Sequence, residues 1–312
     1  LMALNKIHIA SLGFGEFTTS FLAGLNYGLG FMLIHMLHCT VATKQPAMTA
    51  ASFAEQVDSN EGSKAVDNKL AKLLIDVCRS QSVAVFGNVS IAVLLAAGIA
   101  WGYAYTHGQP LLNEAVTAYQ LKSIEIFTQP TLWYAAIAGV WLFCSGIIAG
   151  FFDNRSDYLN LRQRLPFNPF LRKIMRPQPR RRLAAYIHKH YGSLMGNFIF
   201  GMLLGMTGYF GHLFGLPLDI RHVAFSSANL GYAAISGHAD IFTFMLGLAS
   251  VLAIGMVNLV VSFSLALAVA LRSRGTRLGS MRNLLKSFWS QVKANPLILL
   301  YPVQVNNKDN AK

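Results

Sequence analysis

Residues 153–194 read DNRSDYLNLRQRLPFNPFLRKIMRPQPRRRLAAYIHKHYGSL. Ten cations, Arg155, Arg162, Arg164, Arg172, Lys173, Arg176, Arg180, Arg181, Arg182 and Lys189, stand here against two acids, Asp153 and Asp157. Apolar runs flank the stretch, Leu132 to Phe152 before it and Met195 to Phe214 after it. Each is about 20 residues, which at ~1.5 Å per residue crosses the ~30 Å hydrocarbon core of a bilayer as a helix. Lys/Arg-rich connections between such runs stay on the cytoplasmic side. The loop 153–194 therefore sets the orientation of everything attached to it.

Composition agrees. Hydrophobic residues make up 54% and charged residues 12%, with a mean hydropathy of +0.42, which excludes an ordinary soluble domain and indicates a polytopic membrane protein. The net charge of +13 would suggest nucleic acid in a soluble chain, but here it lies in two blocks beside apolar spans, where membrane orientation accounts for it. The chain opens at Leu1 with no basic, apolar and cleavage-site sequence of a signal peptide, and it reads as a fragment that lacks an N-terminal region. Cys39 and Cys78 fall on the inner side and Cys144 within a span, so no disulfide is expected.

Working outward, the pattern predicts an all-α bundle of five spans, at about 18–41, 83–105, 132–152, 195–214 and 241–271, forming one transmembrane domain over 1–271. Gly24, Gly28, Phe31, His35 and His38 fall on one helical stripe in the first span. Gly201, Gly205, Gly208, His212 and Gly215 repeat that spacing in the fourth. Small residues four apart let backbones approach in lipid. Between the first two spans, Val66, Leu70, Leu73, Leu74 and Val77 predict an amphipathic surface helix. Asn258, in the middle of the fifth span, needs a partner on another helix. Beyond it, Arg272, Arg274, Arg277, Arg282, Lys286 and Lys293 interleave with apolar residues, predicting over 272–312 a basic amphipathic helix on the inner leaflet and a disordered tail. Arg180, Arg181, Arg182, Arg282 and Lys286 are the cations expected to meet anionic headgroups. Residues 216–240 are too short and too costly to place as a sixth span, because an even number would put one basic block outside; they read as a re-entrant or interfacial segment at the outer face. Five spans leave Lys6, Lys122 and Arg221 as the outer cations.

Two clusters could carry chemistry. His35 and His38 project three apart beside Cys39, residue types that ligate metals, but no HExxH or CxxC accompanies them, so they read as interfacial or hydrogen-bonded histidines and no metal or cofactor is expected. Asp219, Arg221, His222 and Asn229 form the second cluster, in which ionisable groups near lipid mark a functional element. Arg221 is expected to pair with Asp219 or Asp240, and Asp219 to cap a short helix.

The strings Leu37-His-Cys-Thr-Val-Ala-Thr-Lys-Gln-Pro-Ala-Met-Thr49, Asp153-Asn-Arg-Ser-Asp-Tyr158 and Gly215-Leu-Pro-Leu-Asp-Ile-Arg-His-Val-Ala-Phe-Ser-Ser-Ala-Asn229 resemble a bacterial family labelled site-specific recombinase, the gonococcal-recombinase-like proteins. The resemblance covers the visible chain, as the C-terminal, membrane-embedded part of longer proteins, and implies DNA rearrangement. The residues supply no matching catalytic element: an HxxR element begun at His222 would need arginine at position 225, which is Phe225. Nucleic acid is not expected as a partner. The expected function is a multi-pass scaffold or anchor of the bacterial inner membrane. The alternatives are a transporter or membrane enzyme with a polar outer-face site, and the recombinase that the resemblance implies.

Overall fold

The computed structural model describes residues 1–39, 45–58, 64–237, 239–275 and 281–299. Its helices are α1 (Met2–Ser11), α2 (Glu16–Met36), α3 (Gln45–Asp58), α4 (Lys64–His107), α5 (Glu114–Ile124), α6 (Thr131–Tyr158), α7 (Leu161–Arg164), α8 (Pro169–Ile174), α9 (Pro177–Phe214), α10 (Val223–Ile235), α11 (Ile241–Ser273) and α12 (Met281–Ala294). Five of them, α2, α4, α6, α9 and α11, are long and apolar enough to cross a membrane. The chain is an all-α bundle, and no strand occurs among the described residues.

The two glycine stripes face each other. A Cβ on Gly201 would fall on the backbone of Gly28, and one on Gly205 on that of Gly24, so α2 and α9 pack backbone against backbone, antiparallel. In lipid this closeness matters because association comes from van der Waals packing and not from expulsion of water. On its other side α9 packs on α6, where the Trp141 indole donates to the Thr207 hydroxyl at 2.8 Å. The remaining spans, α4 and α11, enclose α10: Val85, Val89, Val93, Leu230, Val251 and Ile254 form one buried cluster.

Several elements differ from the pattern-based expectation, for one common reason. The basic stretch 153–194 is not a loop: α6 continues to Tyr158 and α9 begins at Pro177, so Arg155, Arg180, Arg181, Arg182 and Lys189 ride on helical extensions of the spans. Likewise the surface helix and the second span are a single helix, α4, of 44 residues. A change from apolar to polar side chains marks the edge of a membrane, but it does not interrupt an i to i−4 ladder unless glycine or proline intervenes. Pro177 sits in the first turn of α9, where its missing N–H costs nothing. At the other end Gly215 closes α9 in the left-handed region, φ +63°.

Two further corrections concern ends. The α2 helix stops at Met36, and His38 takes φ +59°, so His35 and His38 do not share a helical face; residues 40 and 41, the last two of the expected first span, lie outside the described residues. The apolar face of α12 packs in part on protein, with Leu284 buried against Phe53, Leu70 and Ala71 of α3 and α4. Trp289 and Leu285 stay exposed, as do Arg282 and Lys286. The residues 276–280 and 300–312, and with them Arg277 and the expected disordered tail, lie outside the described residues.

The segment after Gly215 does not cross. It runs back along α9, with Leu218 beside Gly211 and Asp219 beside Gly208, then turns into α10, whose 13 residues span only ~20 Å. Along α11, Val223 meets Gly255 and Leu230 meets Gly247, so α10 heads back toward the end where α11 begins. This is a re-entrant element.

Candidate functional site

The re-entrant turn is held by two side chains. The Asn258 carboxamide on α11 donates to the Ala135 carbonyl at 2.7 Å and the Arg221 carbonyl at 3.0 Å, and accepts from Val223 N–H at 3.1 Å. It therefore caps α10 from another helix. Asp219, expected in that role, instead accepts from its neighbour Ile220 N–H at 2.7 Å, because the helix starts four residues later than Asp219, with His222 as a cap residue that makes no side-chain bond.

Arg221 is the second holder. Its guanidinium donates to Asp219 at 2.6 Å, to the Ser123 carbonyl at 2.6 Å and to the Ile220 carbonyl at 2.7 Å, and lies 5.3 Å from the Tyr134 ring centroid. Of the two expected partners Asp219 is the one used. Asp240 instead caps α11 through Thr243 N–H at 3.0 Å, and the Thr243 hydroxyl, followed by this N–H, keeps its carboxyl below the ordinary value. With Nε and Nη1 committed to protein acceptors, Arg221 shapes the site.

These residues border a cavity of about 470 Å³ that also takes in Lys6, Tyr27, Tyr119, Gln120, His222 and Asn229. Its walls come from α1, α2, α5 and the re-entrant element. The α1 helix folds back along α2, with Met2 against Gly30 and the Asn26 amide donating to the Met2 carbonyl at 2.8 Å. Lys6 is thereby carried to the middle of α2, far from the outer connection where its charge alone would place it. The Tyr27 phenol oxygen belongs to the same cavity wall. The Lys6 pKa is held above the ordinary value, first by that oxygen and then, against the effect of burial, by the Asp219 carboxylate. Tyr27 in turn stacks on Phe225 with ring centroids 4.1 Å apart.

His222 sits in an aromatic box, its ring centroid 5.9 Å from that of Phe31, 5.5 Å from Phe200 and 5.6 Å from Phe225. Its Nδ1 is buried without a hydrogen-bond partner. Burial among these rings pushes its pKa down to about 4, so the imidazole is neutral near pH 7.

A family model described as site-specific recombinase matches residues 1–302. The chain belongs to that family. No curated protein and no solved structure matches it. In this recombinase-family chain Arg221, His222, Tyr27 and Lys6 line one cavity, whereas the other histidines divide. His35 meets His190 of α9 across 3.1 Å, with Tyr186 stacked on His190; His38 is exposed at the end of α2. Among the described residues no three His, Cys, Asp or Glu side chains converge in a cluster able to hold a metal ion. The basic end is layered differently from the cavity: Arg181 and Arg182 are exposed and Arg180 is half-buried, while Asp153 accepts from Gly192 N–H at 3.0 Å and Asp157 lies 3.6 Å from His188. Lys6 and Tyr27 escaped the sequence-level reading. The only available signal was a lone lysine in an apolar lead-in, next to a buried-type aromatic on the following span.

Proposed function

We propose that this domain binds a small polar solute at its outer face, as a transporter or membrane enzyme does. The cavity beside the re-entrant element supports the reading best. Its ~470 Å³ is in the range of small-molecule sites, and it pairs apolar walls with a few convergent polar groups. A scaffold accounts for the glycine-packed α2 and α9 but needs no cavity lined by a lysine and an imidazole with an unpartnered nitrogen. Recombination, the activity in the family's name, would require a duplex to reach Arg221 and His222, and a space of this size admits a small molecule. The location we propose is the bacterial inner membrane, with the exposed cations of 155–189 and of α12 against anionic headgroups on the cytoplasmic side, each contributing about 1 kcal/mol near the surface.

The test uses Asn229→Cys in a background of Cys39→Ser, Cys78→Ser and Cys144→Ser. A small methanethiosulfonate should modify it in intact cells while a bulky maleimide does not. Resistance to both reagents would mean a sealed interior and would favour the scaffold.

A further inference from the structure

We propose that the cavity takes a small organic monoanion, a carboxylate carried on an apolar or aromatic body; this rests on the solute-binding reading above and names its ligand class. The charges of the site are unequal. Arg221 and Asp219 offset one another at 2.6 Å, and His222 lacks any partner for Nδ1. Lys6 is therefore the cation left over on the cavity wall: among the described residues it forms no ion pair. Lys6 opens its surface to the cavity. An ammonium on the wall of a cavity otherwise lined largely by apolar and aromatic side chains favours an anionic ligand in that space.

The size and walls specify the rest of the ligand. An inorganic ion would leave most of ~470 Å³ unfilled. The stacked Tyr27 and Phe225 rings, with Ile7 and Ile220, line the same space and suit a flat apolar body. A dianion is disfavoured because Asp219, on the same cavity wall, would repel a second negative charge.

Benzoate, benzamide and benzylamine have nearly the same shape and differ in charge. Each is titrated into the purified protein in detergent, with the thermal midpoint reporting binding through mass action. Benzoate should stabilise the wild type more than the other two. Lys6→Met should weaken benzoate about tenfold or more, by removing a charge-assisted bond, and leave benzamide unaffected. Lys6→Arg, which keeps the charge, should retain benzoate and serves if Lys6→Met does not fold. Ala10→Trp, at the cavity wall, should weaken every probe that binds there. If benzylamine or benzamide binds as well as benzoate and Ala10→Trp blocks it, the anion assignment falls and the solute site stands. Benzoate bound equally by wild type and Lys6→Met also overturns the assignment. If no probe shows binding sensitive to Ala10→Trp, both readings fall.

Discussion

Asn258 ties three separate stretches of backbone at one point: α6 through Ala135, the approach to α10 through Arg221, and α10 itself through Val223. It is 3% exposed, so water cannot replace these bonds. Asn258→Leu, of nearly the same volume, would leave the Val223 N–H and the Arg221 carbonyl without that partner. Bonds of this kind in membrane proteins are worth from about 0.6 to 2 kcal/mol each, and the variant should lose roughly 1–3 kcal/mol, read as a lower thermal midpoint in detergent. Ser262→Ala is the comparison. Ser262 is equally buried but donates only within its own helix, to Leu259, and should lose well under half as much.

At the scale of elements, the α2 and α9 interface depends on what its glycines lack. Gly201→Ala places a methyl group on the Gly28 backbone, and backbone cannot move aside as a flexible side chain can. The helices must separate, at an overpacking cost of about 1–3 kcal/mol. Gly87→Ala in α4 meets nothing within 4 Å and should be neutral or slightly stabilising, by up to about 1 kcal/mol. A neutral or stabilising effect at both positions would show that helix propensity, not contact, governs them. Both stripes were visible as spacing in the sequence. Spacing reports which residues share a face; it does not report which face meets which, and so the resemblance between Gly24/Gly28 and Gly201/Gly205 looked like an echo when it was the two halves of one contact.

For the whole molecule, α6 and α11 point the same way and carry Arg155 and Arg272 near their ends, so charge asymmetry and topology coincide. In intact cells, in the same cysteine-free background, Gln109→Cys should react with an impermeant thiol reagent and Gln178→Cys should resist it; the reverse result would invert the orientation. The five spans were readable because each is a long apolar run, a signal that survives any tertiary arrangement. The polar cluster at Asp219, Arg221 and His222 was readable too, since charge beside lipid is conspicuous. Lys6, Tyr27 and the carbonyl of Ser123 were not, because they join the cluster only through the fold: α1 doubles back along α2, and α5 brings Ser123 to Arg221 from 98 positions away.

The cap of α10 also has a consequence for the order in which the chain is made. Val223 waits for a partner 35 positions downstream. While the ribosome is adding the residues in between, the start of α10 has no amide to receive its first N–H, although Ser123, Trp133 and Tyr134 are already there to hold the loop before it. The re-entrant element thus precedes α11 in synthesis but can reach its final seat only after α11 has been threaded into the bilayer, which makes the last long helix the latch for a segment already made.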